Sequence, residues 1–432
     1  MEISMPCGGD DLRVDVPDKN ILAFLLPTDV PPLADVDGAV RAALEHPVDS
    51  PRLSELAKPD SRVALLLDSW KRPTKHYMVL PAVLDELRRA GVKDDNIKLV
   101  FGNGVHRHAT RQELEGKLGA FVDQFEVVQH NRTSPVAFVG ITSKAANPVW
   151  INAEAAKADL RVAIGNIGFN ILAGYSGGGK MICPGISSFE TINLNHRLDL
   201  SPASMSGEIE RNPVRVDLEE MSRLARLDFI LNVVHNRHGQ IVHAVAGDMI
   251  GAHREGVGVA AHTYRKPIPE RADIFLASAN PRYTTGGAPV DDLPWAVLMA
   301  DRAVRPGGTM ILAHKSPWPD HPYVHTNCPF FKECEHAFMS ARPDPEQVLL
   351  EICRGELPGW ISCMYMVSKI MSEKDVTVVN PHFTEEGLRG SGWRYAKSVE
   401  AALGDAFAKH GRDAKVIVAP FGGRMTLPIP EA

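Results

Sequence analysis

Three short apolar runs, residues 62–67, 97–101 and 160–164, each open into a loop rich in glycine or polar residues, and this recurrence constrains the chain more than any other feature. Runs of that length bounded by turn residues read as buried strands. After the first, Leu80, Val83, Leu84 and Leu87 recur at helical spacing, and Gly91 stands where a helix would stop. After the second, Thr110 and Glu113 form a capping-box pair that opens another helix. Alternating strand, loop and helix specify an α/β fold with a largely parallel sheet, which binds ligands off the carboxyl ends of its strands. The loops at Arg72, His106 and Lys180 would then share one cleft.

Beyond Pro267 and Pro269 the pattern restarts. Residues 272–277 read as a strand, about 293–304 as a helix closed by Pro306-Gly307-Gly308, and 309–313 as the next strand. Strands at 376–379 and 416–419 flank a helix over 399–409, and residues 20–27 form one more apolar run near the start. With 432 residues, the chain is long enough for separate cores. We expect two α/β domains with largely parallel sheets, residues 1–270 and 271–432, with an active-site cleft between them.

The formal charge of −6 gives no electrostatic reason to expect nucleic acid as a partner. No signal peptide is readable at the start, and no run reaches the length of a membrane span. Cys7, Cys183, Cys328, Cys334, Cys353 and Cys363 are scattered, which suits reduced thiols in a cytoplasm better than a disulfide framework.

Chemistry concentrates in the stretch Gly174-Tyr175-Ser176-Gly177-Gly178-Gly179-Lys180-Met181-Ile182-Cys183-Pro184-Gly185. Three consecutive glycines let a backbone approach a ligand closely, Ser176 offers a hydrogen bond, and Lys180 offers a phosphate partner or a nucleophile. It is not a Walker loop, because Met181 stands where that loop needs a hydroxyl for magnesium. His106, between glycines at a strand end, is placed for general-base work or is a solvent-facing loop histidine. Arg72 and Thr74 either clamp a phosphate or belong to a turn around Pro73. His196 is a metal-ligand candidate or a structural helix histidine. His314, His321, His325, Cys328, Cys334 and His336 are metal-capable, but their Cys-x5-Cys-x-His spacing fits no standard zinc pattern.

Taken together, Gly102-Asn103-Gly104-Val105-His106-Arg107, the glycine-rich stretch, and Glu190-Thr191-Ile192-Asn193-Leu194-Asn195-His196 resemble the nickel-dependent lactate racemase family. Asp68-Ser69-Trp70-Lys71-Arg72-Pro73-Thr74 looks in part like that family's Asp-x-Thr-Arg-Pro-Thr element. Gly247-Asp248 and Pro420-Phe421-Gly422-Gly423 extend the likeness over nearly the whole chain. The resemblance implies a nickel-pincer nucleotide, a pyridinium-3,5-bisthiocarboxylic acid mononucleotide joined to Lys180 through a thioamide, with nickel held by His196. Arg72 and Thr74 would hold its phosphate, with Ser176, Gly177, Gly178 and Gly179 forming the cradle. It also implies racemisation or epimerisation of a 2-hydroxy acid by hydride transfer to and from the cofactor, with His106 as acid/base and the second domain closing over the substrate. The implied partners are a small hydroxy acid and the enzymes that make the cofactor, and a homo-oligomer is compatible with this.

The chain also departs from the family pattern. Lactate-type members carry a second histidine where this chain has Asn170, and an asparagine exchanges no proton at neutral pH. The family's substrate-contacting Gln and Lys fall at Ala296 and Met299 in an alignment through Pro289-Val290-Asp291, and Ser69 stands where an aspartate is common. These changes point to a larger substrate such as an aldonate, positioned by Asn170, with His108, His314, His321 and His325 as candidates for the missing base. The alternatives are a short-chain lactate-type racemase and a non-catalytic binding homologue that kept His106, Lys180 and His196. A nicotinamide enzyme is disfavoured, since no strand leads into Gly-x-Gly-x-x-Gly with an acidic residue beyond it.

Overall fold

The computed structural model describes residues 1–280, 289–315, 329–341, 343–423 and 425–431. The chain divides into two compact units, Asp29–Thr263 and a second made of Met1–Thr28 with Tyr264–Ala432. The first 28 residues, expected in a domain of residues 1–270, pack with the C-terminal residues. The reason is strand pairing, because Ile21–Phe24 runs parallel to Val416–Ala419. Among the described residues no helix is long and apolar enough to cross a membrane.

In the Asp29–Thr263 unit the main sheet contains β1 (Val63–Asp68), β2 (Ile97–Gly102), β3 (Glu126–His130), β4 (Leu160–Ile167), β5 (Phe229–His235) and β6 (Ile241–Gly247) in the order β6-β5-β4-β1-β2-β3. All neighbours are parallel except β5 and β6. Every residue of β1 and of β5 is buried, as expected for strands covered on both faces. Val63, Leu65 and Leu67 pack into one core with Val83 and Leu87 of α1 (Leu80–Arg89) and with Leu99, Phe101, Val162 and Ile164. At α2 (Arg111–Leu118) both halves of the Thr110/Glu113 capping box are made. Three further helices, α3 (Phe189–Arg197), α4 (Pro213–Leu224) and α5 (Gly251–Tyr264), surround the glycine-rich stretch.

The other unit holds a second parallel sheet. Its strands β7 (Ala272–Ser278), β8 (Val304–Ala313), β9 (Asp375–Val379) and β10 (Val416–Ala419) lie in the order Arg394–Tyr395, β9, β8, β7, β10, Ile21–Phe24. The helix read as 293–304 is α6, Pro289–Ala300. Pro306-Gly307-Gly308, expected to close that helix, instead lies inside β8, where the pairing with β7 shifts register between Ala272 and Ile274.

Candidate active site

One buried carboxylate at the end of β1 ties together the β1 loop, α2 and the end of β4. Asp68, at the end of β1, accepts hydrogen bonds from Thr74 Oγ1 at 2.6 Å, Lys117 Nζ at 3.2 Å and the backbone N–H of Asn166 at 3.2 Å. His76 Nε2 lies 3.0 Å from Oδ1, the oxygen that also takes Lys117. Burial alone would raise its pKa, but Lys117, His76 and Thr74 together hold it well below the usual carboxylate range. Lys117 also donates to the carbonyl of Arg72 at 2.8 Å, which fixes the backbone that carries the Arg72 guanidinium. Thr74 is fully buried and its proton is committed to Asp68, so it braces this loop and has no donor left for a phosphate.

The β2 loop is locked differently. The Arg107 guanidinium stacks 4.0 Å over Trp70 and makes two 2.8 Å bonds to Glu113, while Trp70 Nε1 donates to the Arg107 carbonyl at 3.3 Å. His106, partly exposed, sits between these anchors and the backbone bond from Gly104 N to Gly185 O at 3.0 Å. A Cβ on Gly102 would stand 3.0 Å from Cα of Gly185, so the glycines here permit contact between the His106 loop and the Lys180 loop. Asn103, 1% exposed, has neither side-chain atom hydrogen-bonded.

The three glycines before Lys180 turn out to serve packing. Gly177 and Gly178 have φ of +80° and +56°. A Cβ on Gly178 would meet the His253 ring at 3.0 Å, and one on Gly179 would meet Ser222 Oγ at 2.4 Å. The stretch is wedged against α4 and α5, with Asn232 Oδ1 accepting from Gly178 N at 2.8 Å and His253 Nε2 lying 2.9 Å from the Ser176 carbonyl. Ser176 is turned inward as well: its hydroxyl donates to Asn166 O and accepts from Gly168 N, each at 2.9 Å.

Lys180 is 8% exposed, and its Nζ donates to Oδ1 of Asn170 at 3.3 Å. Burial, then the charges of Arg215 and Arg72, push its pKa down to about 7, so about half the amine is free base at neutral pH. The same Asn170 oxygen accepts the backbone N–H groups of Leu172 at 3.2 Å and Ala173 at 2.9 Å. Asn170 thus closes its own hairpin and holds the lysine. The nearby Cys183 thiol is pushed up to about 12 by burial and stays protonated.

His196, at the end of α3, lies within the field of Lys180; burial, then that charge, bring its pKa down to about 3. Its Nδ1 is 3.1 Å from Oδ1 of Asn195, whose amide nitrogen donates to Val214 O at 3.1 Å and Asp217 Oδ2 at 3.0 Å. With the asparagine oriented by those bonds, its oxygen must accept, so the proton sits on Nδ1 and the lone pair on Nε2. One helical turn on, Asp199 is 2% exposed, and burial raises its pKa well above the ordinary value against the opposing pull of Lys180.

Sequence reasoning named Lys180, His196, Asn170, Arg72 and His106, but missed Asp199 and Arg215. Asp199 follows His196 at i+3, and Arg215 shares a stripe of α4 with Leu218 and Ser222, so spacing alone could have found them. Of the candidates for a second base, His108 is an exposed loop residue. His314 is buried with both ring nitrogens engaged, by Asp292 at 3.2 Å and Asn380 at 3.1 Å. His321, His325 and Cys328 lie outside the described residues. Ala296 and Met299 are fully buried on α6. Among the described residues no three His, Cys, Asp or Glu side chains come together as a metal site.

Residues 7–207 match the lactate racemase N-terminal domain. A lactate racemase from Thermoanaerobacterium thermosaccharolyticum is 32% identical over 325 residues, 72% of this chain and 74% of that protein. The chain belongs to the lactate racemase family. It is accordingly an isomerase, and the lactate racemase of Lactiplantibacillus plantarum is 28% identical over 89% of both chains. The structure of the lactate racemase apoprotein from T. thermosaccharolyticum matches 100% of both chains with a TM-score of 0.84 at 27% identity. A Thermotoga maritima crystal structure shares the fold alone, with a TM-score of 0.69 at 16% identity over 94% of this chain and 100% of that one.

Proposed function

We propose that this family member racemises or epimerises a 2-hydroxy acid, with Lys180 as covalent anchor for a nickel-pincer nucleotide and His196 as the protein's ligand to nickel. The observation that carries this reading is a buried Lys180 amine held by Asn170 and, within its field, a buried imidazole whose tautomer is set by Asn195. Imidazole nitrogen suits nickel, and a second hydrogen bond that orients the ring is a common feature of histidine ligands. Among the described residues no three His, Cys, Asp or Glu side chains converge, so the remaining donors would come with the nucleotide. The unpartnered Asn103 amide on the His106 loop is a further polar group that a bound ligand would satisfy. Arg72 offers its guanidinium to the phosphate.

The bound group supplies an acceptor for the hydrogen and electron pair on C2, which no side chain provides. The chain's own residues supply the rest. His106 takes the proton of the 2-hydroxyl and returns it. Asn170 exchanges no proton, and its oxygen is occupied by two backbone amides and Lys180, so it holds the anchor and proton traffic falls to His106.

For the substrate we favour a polyhydroxylated acid, such as an aldonate of about four to six carbons. Three departures support it: Asn170 removes one base, and Ala296 and Met299 replace two polar contacts with buried apolar groups. The lactate racemases among its relatives favour a short-chain substrate instead. A panel of both classes, offered to cofactor-loaded enzyme with inversion at C2 followed by chiral chromatography, separates them. Inversion of aldonates and not lactate supports the first reading, and lactate inversion supports the second. No inversion of any hydroxy acid, with a mass excess on the Lys180 peptide proving the cofactor loaded, overturns both.

A further inference from the structure

Arg215 is fully buried on α4, and the protein uses it in an unusual way. Its Nε donates to the carbonyl of Ala173 at 3.1 Å and its Nη2 to the carbonyl of Tyr175, while Nη1 makes no hydrogen bond. The nearest carboxylate, Glu219, is 3.9 Å from Nη1 and is already bonded by Arg254 at 2.8 and 3.1 Å. Arg215 is therefore a buried cation solvated mainly by two peptide carbonyls. Those carbonyls belong to the hairpin that presents Asn170, and Ala173 contacts both residues, Arg215 through its carbonyl and Asn170 through its N–H. Its N–H donates to Asn170 Oδ1 at 2.9 Å, the atom that also takes the Lys180 amine at 3.3 Å. Arg215 and Lys180 thus grip the same short hairpin, one through the Ala173 carbonyl and the other through Asn170 Oδ1.

We infer that Arg215 is a positioning residue for Lys180, holding the acceptor of its amine and standing behind that acceptor as a fixed positive charge, so that the amine is kept as free base. Two features act on Lys180. The bonds to the Ala173 and Tyr175 carbonyls hold the hairpin that carries Asn170 Oδ1, so the acceptor of the amine stays in place. The buried guanidinium, its charge only partly offset by Glu219, also repels a proton on Lys180. The other charged or titratable groups facing Lys180 are Arg72 from the β1 loop, Cys183 from its own loop, Asp199 from the turn after α3, and His196 from α3. Arg72 reinforces Arg215, whereas Cys183 and Asp199 oppose it only when ionised, which burial disfavours for both; His196 is neutral near pH 7. The inference deepens the reading of Lys180 as anchor, because a tethering lysine must present an unprotonated nitrogen.

The test is the pH dependence of carbamoylation of Lys180 by cyanate in the full chain made without cofactor, read from the mass of the peptide bearing Lys180. The wild-type midpoint is expected near 7. Arg215→Gln should raise it by about one unit, making modification at pH 7 about fivefold slower, while Arg215→Lys should stay within about 0.3 unit of wild type. A wild-type midpoint of an ordinary lysine, no shift in Arg215→Gln, or equal shifts in both variants would overturn the inference. Should Arg215→Gln not fold, Glu219→Gln carries the test, since stripping the counter-charge should lower the midpoint and an unchanged value would refute the proposal. Failure of the anchor reading is seen separately, as cofactor-loaded protein without added mass on Lys180.

Discussion

Nδ1 of His196 lies 3.1 Å from Oδ1 of Asn195, and the asparagine is itself oriented by Val214 and Asp217. Replacing Asn195 by Ala leaves the imidazole in place but frees its tautomer and its rotation. Nickel retained by the loaded enzyme after dialysis against a weak chelator should fall about 10–100-fold in affinity, and His196→Ala should abolish retention. Elemental analysis of the dialysed protein checks both.

The glycines before Lys180 are packing residues, which gives a direct stability test. Gly179→Ala places a methyl against Ser222 Oγ, and denaturant unfolding should show a loss of about 1–3 kcal/mol. In the double variant with Ser222→Ala part of that loss should return, since the two sites are in contact.

Arg72 and Thr74, neighbours in sequence, should separate by experiment. Thr74→Val removes a buried bond to the Asp68 carboxylate and should cost about 1–3 kcal/mol in unfolding free energy. Arg72→Ala should weaken cofactor retention, measured as the fraction of chains carrying the Lys180 mass excess.

Acid should destabilise the fold through its buried neutral histidines. His130 Nε2 faces the Ser187 carbonyl at 2.9 Å and Nδ1 faces the Asn152 amide nitrogen at 3.3 Å, so a second ring proton would point at a donor. Burial brings its pKa from 6.5 down to about 4. Below 6.5 the unfolded chain binds a proton that the folded chain refuses, so stability present above that pH is lost as it falls towards 4. That loss is up to about 3 kcal/mol from this residue. Thermal melts from pH 7 to 4 should show a falling midpoint, with a shallower slope in His130→Gln.

The parts of this architecture that are legible in sequence are those written in local patterns. The all-buried β1 follows from its apolar run, and α2 begins where Thr110 and Glu113 say it should. What was not legible depends on distant partners. Residues 21–24 join a sheet whose pairing strand begins at Val416, and no local pattern announces that. The hydroxyls of Thr74 and Ser176 looked available for a ligand because their real partners, Asp68 and the Asn166 carbonyl, are chosen by the fold. Lys180 was readable as special, yet its free-base character comes from burial and from Arg215 and Arg72, which stand far from it along the chain.

Gly102 and Gly185 meet backbone to backbone, so closely that a Cβ on Gly102 would stand 3.0 Å from the Cα of Gly185. The segment carrying the proposed base and the segment carrying the proposed anchor are therefore mechanically one piece: displacing either drags the other. A chain built this way has little freedom to tune its reaction by sliding the base relative to the anchor. Changes in what it accepts must be written in side chains around that junction.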